Sequence, residues 1–261
     1  MYVGDIMFSE LYKYREFLKT SIKKEFRGKY KKSVLGVLWS FLNPLFQLVI
    51  YSLVFPHIMG NRIENYTIYL IVGLMPWTFF NNSIIQSAAC VVTNAGIVKK
   101  VYFPREILPI STATSNLINF FVTEVIVFIA LIVSGVGISK TIVLLPIIAL
   151  IQYILQLGLS FIFSAITVYV RDVEYIINIF MMLMFYLCPI VYSPSFIPSN
   201  YLKIFKLNPM FHIITFYRDI LFDKTWPNFI ELSGIFLACV CILILGYIIF
   251  KKCEKKFAEE L

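Results

Sequence analysis

Few side chains in this sequence have the types and spacing that catalysis needs. There are only two histidines, His57 and His212, and neither stands in a pattern that identifies a base beside a nucleophile. The five cysteines form no CxxC pair and no Cys/His cluster, so a metal site and a disulfide framework are both disfavoured. These cysteines are Cys90, Cys188, Cys239, Cys241 and Cys253. We therefore predict neither a catalytic residue nor a metal ligand.

A phosphate-binding loop is missing as well. A Walker A loop needs glycines whose amides hold phosphates, followed by Lys and Ser or Thr. The single Gly-Lys pair, Gly28-Lys29, is followed by Tyr30, and Lys23 stands where the first glycine should be. We predict no directly bound cofactor, so ATP and Mg²⁺ would be used only by a partner protein.

Glu124 is the clearest ionisable residue inside an apolar stretch. A carboxylate at bilayer depth costs about 2.5–3.5 kcal/mol on insertion scales, so it should face protein or a wet cavity. Two interpretations stay open, a place on a transport path and a structural hydrogen bond to a neighbouring helix. The scarcity of such residues argues against proton- or ion-coupled transport.

Aromatic and amide side chains are interleaved in one apolar stretch: Trp77, Phe79, Phe80, Asn81, Asn82 and Gln86. Aromatic faces beside amides are a reasonable lining for a path that carries sugars. The same residues also fit an interfacial aromatic belt with amides that pack helices together. Our candidate translocation-path residues are Trp77, Phe79, Phe80, Asn81 and Glu124.

The chain that carries these residues is too apolar for a soluble domain. Of 261 residues, 59% are hydrophobic and 15% are charged, and the mean hydropathy is +0.82. Soluble domains average about 45–50% apolar and about 25% charged residues. The net charge of +8 is concentrated at the two termini and in one internal loop. That pattern indicates contact with anionic membrane lipids rather than with nucleic acid.

Six stretches are long and apolar enough to cross a bilayer, which takes about 20 residues. They are Val34–Phe55, Tyr66–Val92, Leu108–Val133, Ile142–Val170, Tyr175–Tyr192 and Ile230–Phe250. The fold class predicted is therefore all-α, an integral membrane protein with six transmembrane helices over residues 34–250. A cytoplasmic segment, 1–33, precedes this domain, and a cytoplasmic tail, 251–261, follows it.

The distribution of basic residues predicts the orientation. With both termini in the cytoplasm, seventeen of the 23 Lys and Arg residues fall inside and six fall outside. The two short outside loops then hold only Arg62 and Lys140. This asymmetry obeys the positive-inside rule.

The N-terminal segment carries an apolar stripe at helical spacing, with basic residues on the other side. The stripe consists of Leu11, Tyr14, Leu18, Ile22 and Phe26. We predict an amphipathic helix that lies in the membrane interface on anionic headgroups. The alternative is a cytosolic helix packed on a partner protein.

Two further segments have a predicted place. Met210–Phe222 is too short to span a bilayer and too apolar for a solvated loop, which predicts re-entrant or interfacial helices between the fifth and sixth spans. Arg171, Asp172 and Glu174 form the tight turn between the fourth and fifth spans. The two carboxylates should lie at the start of the fifth span and cap it electrostatically.

Three segments together resemble a known family. Phe26–Pro44 (FRGKYKKSVLGVLWSFLNP) resembles the opening of the membrane subunits of ABC transporters that export bacterial cell-surface polysaccharides. Gly96–Pro109 (GIVKKVYFPREILP) resembles that family's first cytoplasmic loop. Val170–Pro198 is similar to its hairpin between the fourth and fifth spans and its outer segment.

The resemblance implies an ABC-2 permease in the bacterial cytoplasmic membrane that works as a homodimer with two ABC ATPase subunits. Its substrate would be O-antigen, teichoic acid or a related polymer linked to undecaprenyl diphosphate. The loop would form a short coupling helix that docks on the ATPase, built from Lys99, Lys100, Val101, Tyr102, Phe103, Pro104, Arg105 and Glu106. Outer gate helices would contain Pro198, Pro209, Phe211, Phe216 and Tyr217.

Three alternatives remain from the sequence. A permease of the same architecture could export a drug or a simple lipid. A membrane-embedded enzyme acting on polyprenyl lipids usually shows clustered His, Asp or Glu at one membrane face, and no such cluster is present in the sequence. A scaffold without transport is disfavoured by the order of the three matching segments.

Overall fold

The computed structural model describes residues 12–28, 34–59 and 63–261. Within these ranges the chain is helical and has no β-strand, which confirms the all-α prediction. In chain order the helices are α1 (Arg15–Gly28), α2 (Trp39–Met59), α3 (Tyr66–Thr93), α4 (Ala95–Val98), α5 (Ile107–Val133), α6 (Leu145–Tyr169), α7 (Val173–Leu187), α8 (Ser199–Phe205), α9 (Pro209–Leu221), α10 (Phe229–Cys253) and α11 (Phe257–Glu260).

Among the described residues, five stretches are long and apolar enough to cross a membrane, as a multi-pass membrane protein requires. They are Trp39–His57, Tyr66–Thr93, Ile107–Val133, Lys140–Tyr169 and Phe229–Glu260. Five of the six predicted spans are therefore confirmed. Their ends shift by at most five residues, except that the last stretch continues beyond the predicted Phe250 to Glu260. The fourth begins with a 3-10 turn, Lys140–Leu144, that leads directly into α6.

The predicted fifth span is shorter than expected. Helix α7 has 15 residues, so it is about 22 Å long, against a hydrocarbon core of about 30 Å. The prediction extended this span to Tyr192, but the helix ends at Leu187 because Pro189 follows Cys188. A residue before proline is forced out of helical geometry, and Cys188 is extended, with φ −103° and ψ 142°.

Helix α3 lies at the centre of the bundle. Its spanning window is 78% buried, whereas that of α2 is only 11% buried. Helices α5 and α6 pack along α3, while α2 and α7 contact it from the periphery. Much of the apolar surface of α2 and α7 consequently faces outward.

Helices α6 and α10 form the closest helix pair, and two glycines make their approach possible. A Cβ added at Gly158 would lie 2.7 Å from the backbone nitrogen of Leu243. One added at Gly246 would overlap the backbone carbonyl of Gly158. Small residues allow membrane helices to pack this closely. In lipid the hydrophobic effect does not drive helices together, so the dispersion contacts of this close packing stabilise the pair.

The segment between α7 and α10 forms two short helices, α8 and α9. Pro198 directly precedes α8 and Pro209 is the first residue of α9, a position that tolerates proline because no intrahelical N–H bond is lost. Helix α9 packs against α3, α6 and α10. His212 of α9 lies 2.6 Å from the Glu231 carboxylate of α10, measured from Nδ1.

Helix α1 lies against the end of the bundle where α3 ends and α5 begins. Tyr14, Leu18, Ile22 and Phe26 of the predicted stripe are half-buried, and Leu11 lies outside the described residues. Tyr14 and Leu18 pack on an inner apolar cluster that includes Phe103, Phe161 and Phe250. Part of the stripe therefore contacts the chain's own core, a third option beside lipid and a partner protein.

Candidate functional site

An open cleft of about 940 Å³ lies between α2, α3, α5 and α7, at the depth of the spans. Amide side chains project into it from each of these helices: Asn43, Gln47, Asn81, Asn82, Gln86, Asn116, Asn119 and Asn178. Aromatic rings line it as well, among them Trp39, Tyr51, Trp77, Phe79, Phe120 and Phe185. None of the described residues that line the cleft carries a formal charge.

Helical spacing explains how these amides converge. Asn43 and Gln47 are four residues apart on α2, and Asn82 and Gln86 are four apart on α3, so each pair shares one helix face. The Ser40 hydroxyl of α2 donates a hydrogen bond to the Asn119 side-chain oxygen of α5 at 2.7 Å. The cleft is therefore a surface where neighbouring helices bring donors and acceptors together.

The aromatic side chains are fixed by contacts with each other. The Phe185 ring of α7 lies 5.8 Å from the Tyr51 ring of α2 and 5.8 Å from the Trp77 ring of α3. Phe79 stacks on Phe120 with ring centres 4.9 Å apart. Offset and tilted ring pairs at these distances are attractive. The rings thus give the cleft apolar surfaces beside its amides.

The structure brings together three of the five predicted path residues. Trp77, Phe79 and Asn81 line the cleft. Phe80 is packed in the core instead, and its ring contacts that of Trp77 at 5.7 Å. Glu124 is fully buried away from the cleft, and neither of its carboxylate oxygens finds a hydrogen-bond partner among the described residues.

Sequence reasoning missed the amides contributed by the other helices. Asn43 and Gln47 on α2, Asn116 on α5 and Asn178 on α7 all line the cleft. Their signal was present, because each is an amide within an otherwise apolar stretch. A systematic search for such amides at helical spacing would have found the α2 pair.

In the predicted coupling loop, the structure separates side chains that were expected to act together. Residues 99–106 are not helical, so the expected coupling helix is wrong for this segment, and the short α4 directly precedes it. Tyr102 is 89% exposed and Val101 is exposed beside it. Phe103 is only 5% exposed, with its ring 5.0 Å from that of Phe17 in α1. The first half of the loop, from Lys99 to Tyr102, is therefore exposed and accessible to another protein.

The end of the loop is tied to the C-terminal part of the chain. Glu106 is fully buried, and its carboxylate lies 2.8 Å from Lys251 Nζ at the end of α10. Lys251 also lies 2.9 Å from the Glu254 carboxylate. Arg105 donates a hydrogen bond to the Glu254 carbonyl oxygen. Movement of this loop would therefore be transmitted to α1 and α10.

The predicted hairpin occupies the expected place. Helix α6 ends at Tyr169, α7 starts at Val173, and Asp172 stands at the N-cap position with Glu174 in the first turn. The Asp172 side chain makes no capping hydrogen bond, so any effect on the helix is electrostatic.

A second cavity, of about 960 Å³, opens between α1, α3 and α5, at the end of the bundle where α3 ends and α5 begins. Lys24, Glu25 and Arg27 of α1 line it, and Lys24 donates a hydrogen bond to the Asn94 side-chain oxygen at 2.9 Å. Gln86 lines both this cavity and the cleft. Asn116 donates a hydrogen bond to Gln86 at 3.2 Å. The two cavities thus adjoin at one amide pair.

Comparison with known proteins gives consistent matches over nearly the whole chain. The profile described as ABC-2 type transporter matches residues 16–222. The chain is 35% identical over 245 residues to the O-antigen export system permease protein RfbA of Klebsiella pneumoniae, covering 94% of each chain.

More distant relatives carry similar descriptions. The O-antigen export system permease protein RfbA of Myxococcus xanthus is 32% identical over 254 residues, which cover 97% of this chain and 98% of that protein. The polysialic acid transport protein KpsM of Escherichia coli is 22% identical over 240 residues, which cover 89% and 91% of the two chains.

Proposed function

Because the chain belongs to the ABC-2 type transporter family, we propose that it is the membrane-spanning permease of an ATP-driven exporter of bacterial cell-surface polysaccharide. The relatives at 32–36% identity are described as O-antigen export permeases. The observation that carries the proposal is the uncharged cleft of amides and aromatic rings at the depth of the spans.

The cleft has the chemistry that a sugar chain requires. Amides both donate and accept hydrogen bonds, as sugar hydroxyls do. Aromatic faces supply apolar contact without charge. A path for ions or acidic solutes would instead carry ionisable side chains, which are costly at this depth and are retained only for function.

A homodimer would turn this open cleft into a channel. Helices α2 and α7 border the cleft, and both expose apolar side chains, such as Leu53 at 63% and Leu183 at 55%. In a bilayer these faces meet either lipid or another protein. A second copy that faces the cleft would enclose the amides between two permeases, which supports the proposed dimer.

We further propose that the polymer is presented on undecaprenyl diphosphate from the cytoplasmic leaflet. The cavity that adjoins the cleft through Gln86 is lined by two basic side chains, Lys24 and Arg27, and one carboxylate, Glu25, so it is basic on balance. Basic side chains at that leaflet attract phosphate groups and anionic lipids. Helix α1 would therefore lie along the interface with its charged face toward headgroups.

Energy would come from two separate ABC ATPase subunits that bind ATP and Mg²⁺, since the sequence has no phosphate-binding loop of its own. The exposed side chains of Lys99, Lys100, Val101 and Tyr102 in the coupling loop would contact such a subunit. A movement of this loop would be transmitted to the bundle by the buried Phe103 ring and by the Glu106–Lys251 ion pair.

The proposed topology has six spans, with α7 as the short fifth one and both termini in the cytoplasm. The outer helices α8 and α9 would close the outer mouth, and Pro198 and Pro209 would be their hinges. Cysteines placed at positions 100 and 255 should react only from the cytoplasm, and those at 62 and 200 only from outside. The reverse labelling at either pair would refute this orientation.

A deletion strain tests the function itself. Loss of the gene should remove surface polysaccharide and leave lipid-linked polymer inside the cell, and the wild-type gene should restore both. Replacing Asn81 and Asn119 together by Leu should prevent restoration, whereas the matched Ser233→Ala variant, on the exposed start of α10, should restore export fully. Unchanged surface polysaccharide with altered drug efflux would favour the drug or simple-lipid exporter instead.

A further inference from the structure

A third cavity, of about 790 Å³, opens at the end of the bundle opposite the coupling loop. It is bordered by the start of α3, the turn after α5, the connector after α7 and the end of α9. We refer to it as the outer pocket. It is separate from the cleft, because no described residue lines both.

A buried guanidinium forms one wall of the outer pocket. Arg218 of α9 is only 3% exposed, and its Nη2 donates a hydrogen bond to the Ile190 carbonyl oxygen at 2.7 Å. Its Nε and Nη1 have no hydrogen-bond partner among the described residues. Buried N–H groups of a cation are costly when unpaired, so these two nitrogens are available to a bound ligand or water.

The guanidinium is held in position before any ligand arrives. Its central carbon lies 3.6 Å from the centre of the Tyr69 ring, an arrangement that stabilises a cation. The Tyr69 hydroxyl donates a hydrogen bond to the Tyr192 carbonyl oxygen at 2.9 Å, which fixes the ring. A Cβ at Gly73 would lie 2.8 Å from Arg218 Nη2, so the glycine leaves the space that Arg218 occupies.

Acceptors line the same pocket. Asp219 and Asp223 both border it. Burial raises the pKa of Asp219 to about 6, and the neighbouring carboxylates of Asp223 and Glu231 add to this effect. Burial also raises the pKa of Asp223, while Arg218 opposes that shift. The hydroxyls of Ser193 and Ser195 add groups that can donate and accept.

This mixture of groups selects the class of ligand. A simple anion would be repelled by the three carboxylates of the pocket, and a simple cation would be repelled by Arg218 and by Lys224. The carboxylates are those of Glu64, Asp219 and Asp223. A sugar has hydroxyls that donate to carboxylates and accept from a guanidinium, and it has an apolar face for the rings of Phe196 and Phe222. The Phe222 ring meets that of the buried Tyr69 edge to face at 5.5 Å. Pockets of about 300–1,000 Å³ hold small molecules of a few rings.

We infer that the outer pocket is a saccharide-binding site, which holds a sugar unit of the exported chain as it leaves the permease. The inference rests on the proposed function. A unit bound outside the gate helix α9 would oppose backward sliding of the polymer between transport steps.

Ligand binding by the full-length chain in lipid nanodiscs tests this inference. The probe is a set of di- to tetrasaccharides prepared by partial hydrolysis of the host strain's own surface polysaccharide, followed by saturation-transfer NMR. The wild-type chain should bind them with a millimolar Kd. Asp223→Asn, which removes the charge but keeps the shape of the side chain, should weaken binding at least tenfold, and so should Arg218→Lys, which keeps the charge but loses the planar fork.

Glu259→Gln is the control variant: it removes a carboxylate near the C-terminus, at the end of the bundle opposite the outer pocket, and should bind the fragments like the wild type. Sodium glucuronate and inorganic phosphate test the competing anion site. Binding of these anions without binding of the neutral fragments would overturn the inference, as would equal binding by Asp223→Asn. Because the deletion strain reports export independently, a negative binding result with export intact rejects the outer site and leaves the proposed function standing.

Discussion

The buried ion pair between Glu106 and Lys251 should respond unequally to removal of its two partners. Glu106 is 0% exposed, so the Lys251→Met variant leaves a carboxylate buried without its cation. Breaking a buried pair in this way costs about 3–5 kcal/mol. The Lys251 side chain is 27% exposed and also lies 2.9 Å from Glu254. The Glu106→Gln variant should therefore cost only about 1–2 kcal/mol.

A double-mutant cycle gives the magnitude. The double variant removes both charges, so it should be less destabilised than Lys251→Met alone, with a coupling energy of about 2 kcal/mol. Thermal unfolding of the full-length chain in detergent, followed by tryptophan fluorescence, measures the difference. Lys251→Met should lower Tm by about 10 °C, since 1 kcal/mol corresponds to about 2–4 °C in a chain of this size. Additive single effects, or a larger loss for Glu106→Gln, would refute the reasoning.

Three further predictions concern packing, pH and the loop. Gly158→Ala places a Cβ 2.7 Å from a backbone nitrogen of α10, so it should lower the free energy of unfolding by several kcal/mol and remove most of the folded protein in a size-exclusion assay. Gly234→Ala has open space around the new Cβ and should leave the folded yield unchanged in the same assay. Asp219→Asn should raise the free energy of unfolding by about 1 kcal/mol at pH 7 but not at pH 4. The pKa of Asp219 is raised to about 6 in the folded state, so ionisation of this carboxyl destabilises the folded state progressively as pH rises from 4 to 6. Equal gains in thermal melts at both pH values would contradict this. Tyr102→Ala changes an exposed side chain, so it should leave Tm unchanged but weaken pull-down of the ATPase. Phe103→Ala removes a buried ring and should lower the free energy of unfolding by about 3–5 kcal/mol. A lower Tm for Tyr102→Ala than for Phe103→Ala would show that the loop is not folded as described.

The sequence alone determined the class of fold and most of the spans. Crossing a bilayer requires about 20 apolar residues in one continuous stretch, because every backbone polar group must be satisfied within the helix. That requirement is local, so it can be read without knowledge of tertiary contacts. The fifth span shows its limit, since the Cys188-Pro189 step ended the helix earlier than hydropathy indicated.

The sequence could not predict which face of each spanning helix packs against other helices. Lipid and protein interior are equally apolar, so periodicity does not distinguish the side of a spanning helix that packs from the side that meets lipid. Asn81 and Glu124 both looked like path residues, yet only Asn81 lines the cleft. The choice depends on how α3 and α5 are rotated against their neighbours.

Long-range pairing was also decided only by the tertiary structure. Phe103 stands beside Tyr102 in the sequence, but it is buried because α1 folds back and brings Phe17 against it. Glu106 pairs with Lys251, and Arg218 stacks on Tyr69, across most of the chain. Such contacts follow from the packing of helices over the whole bundle, and no local sequence pattern specifies them. A charged side chain at a helix end looks the same in the sequence whether it faces solvent, a lipid headgroup or another helix.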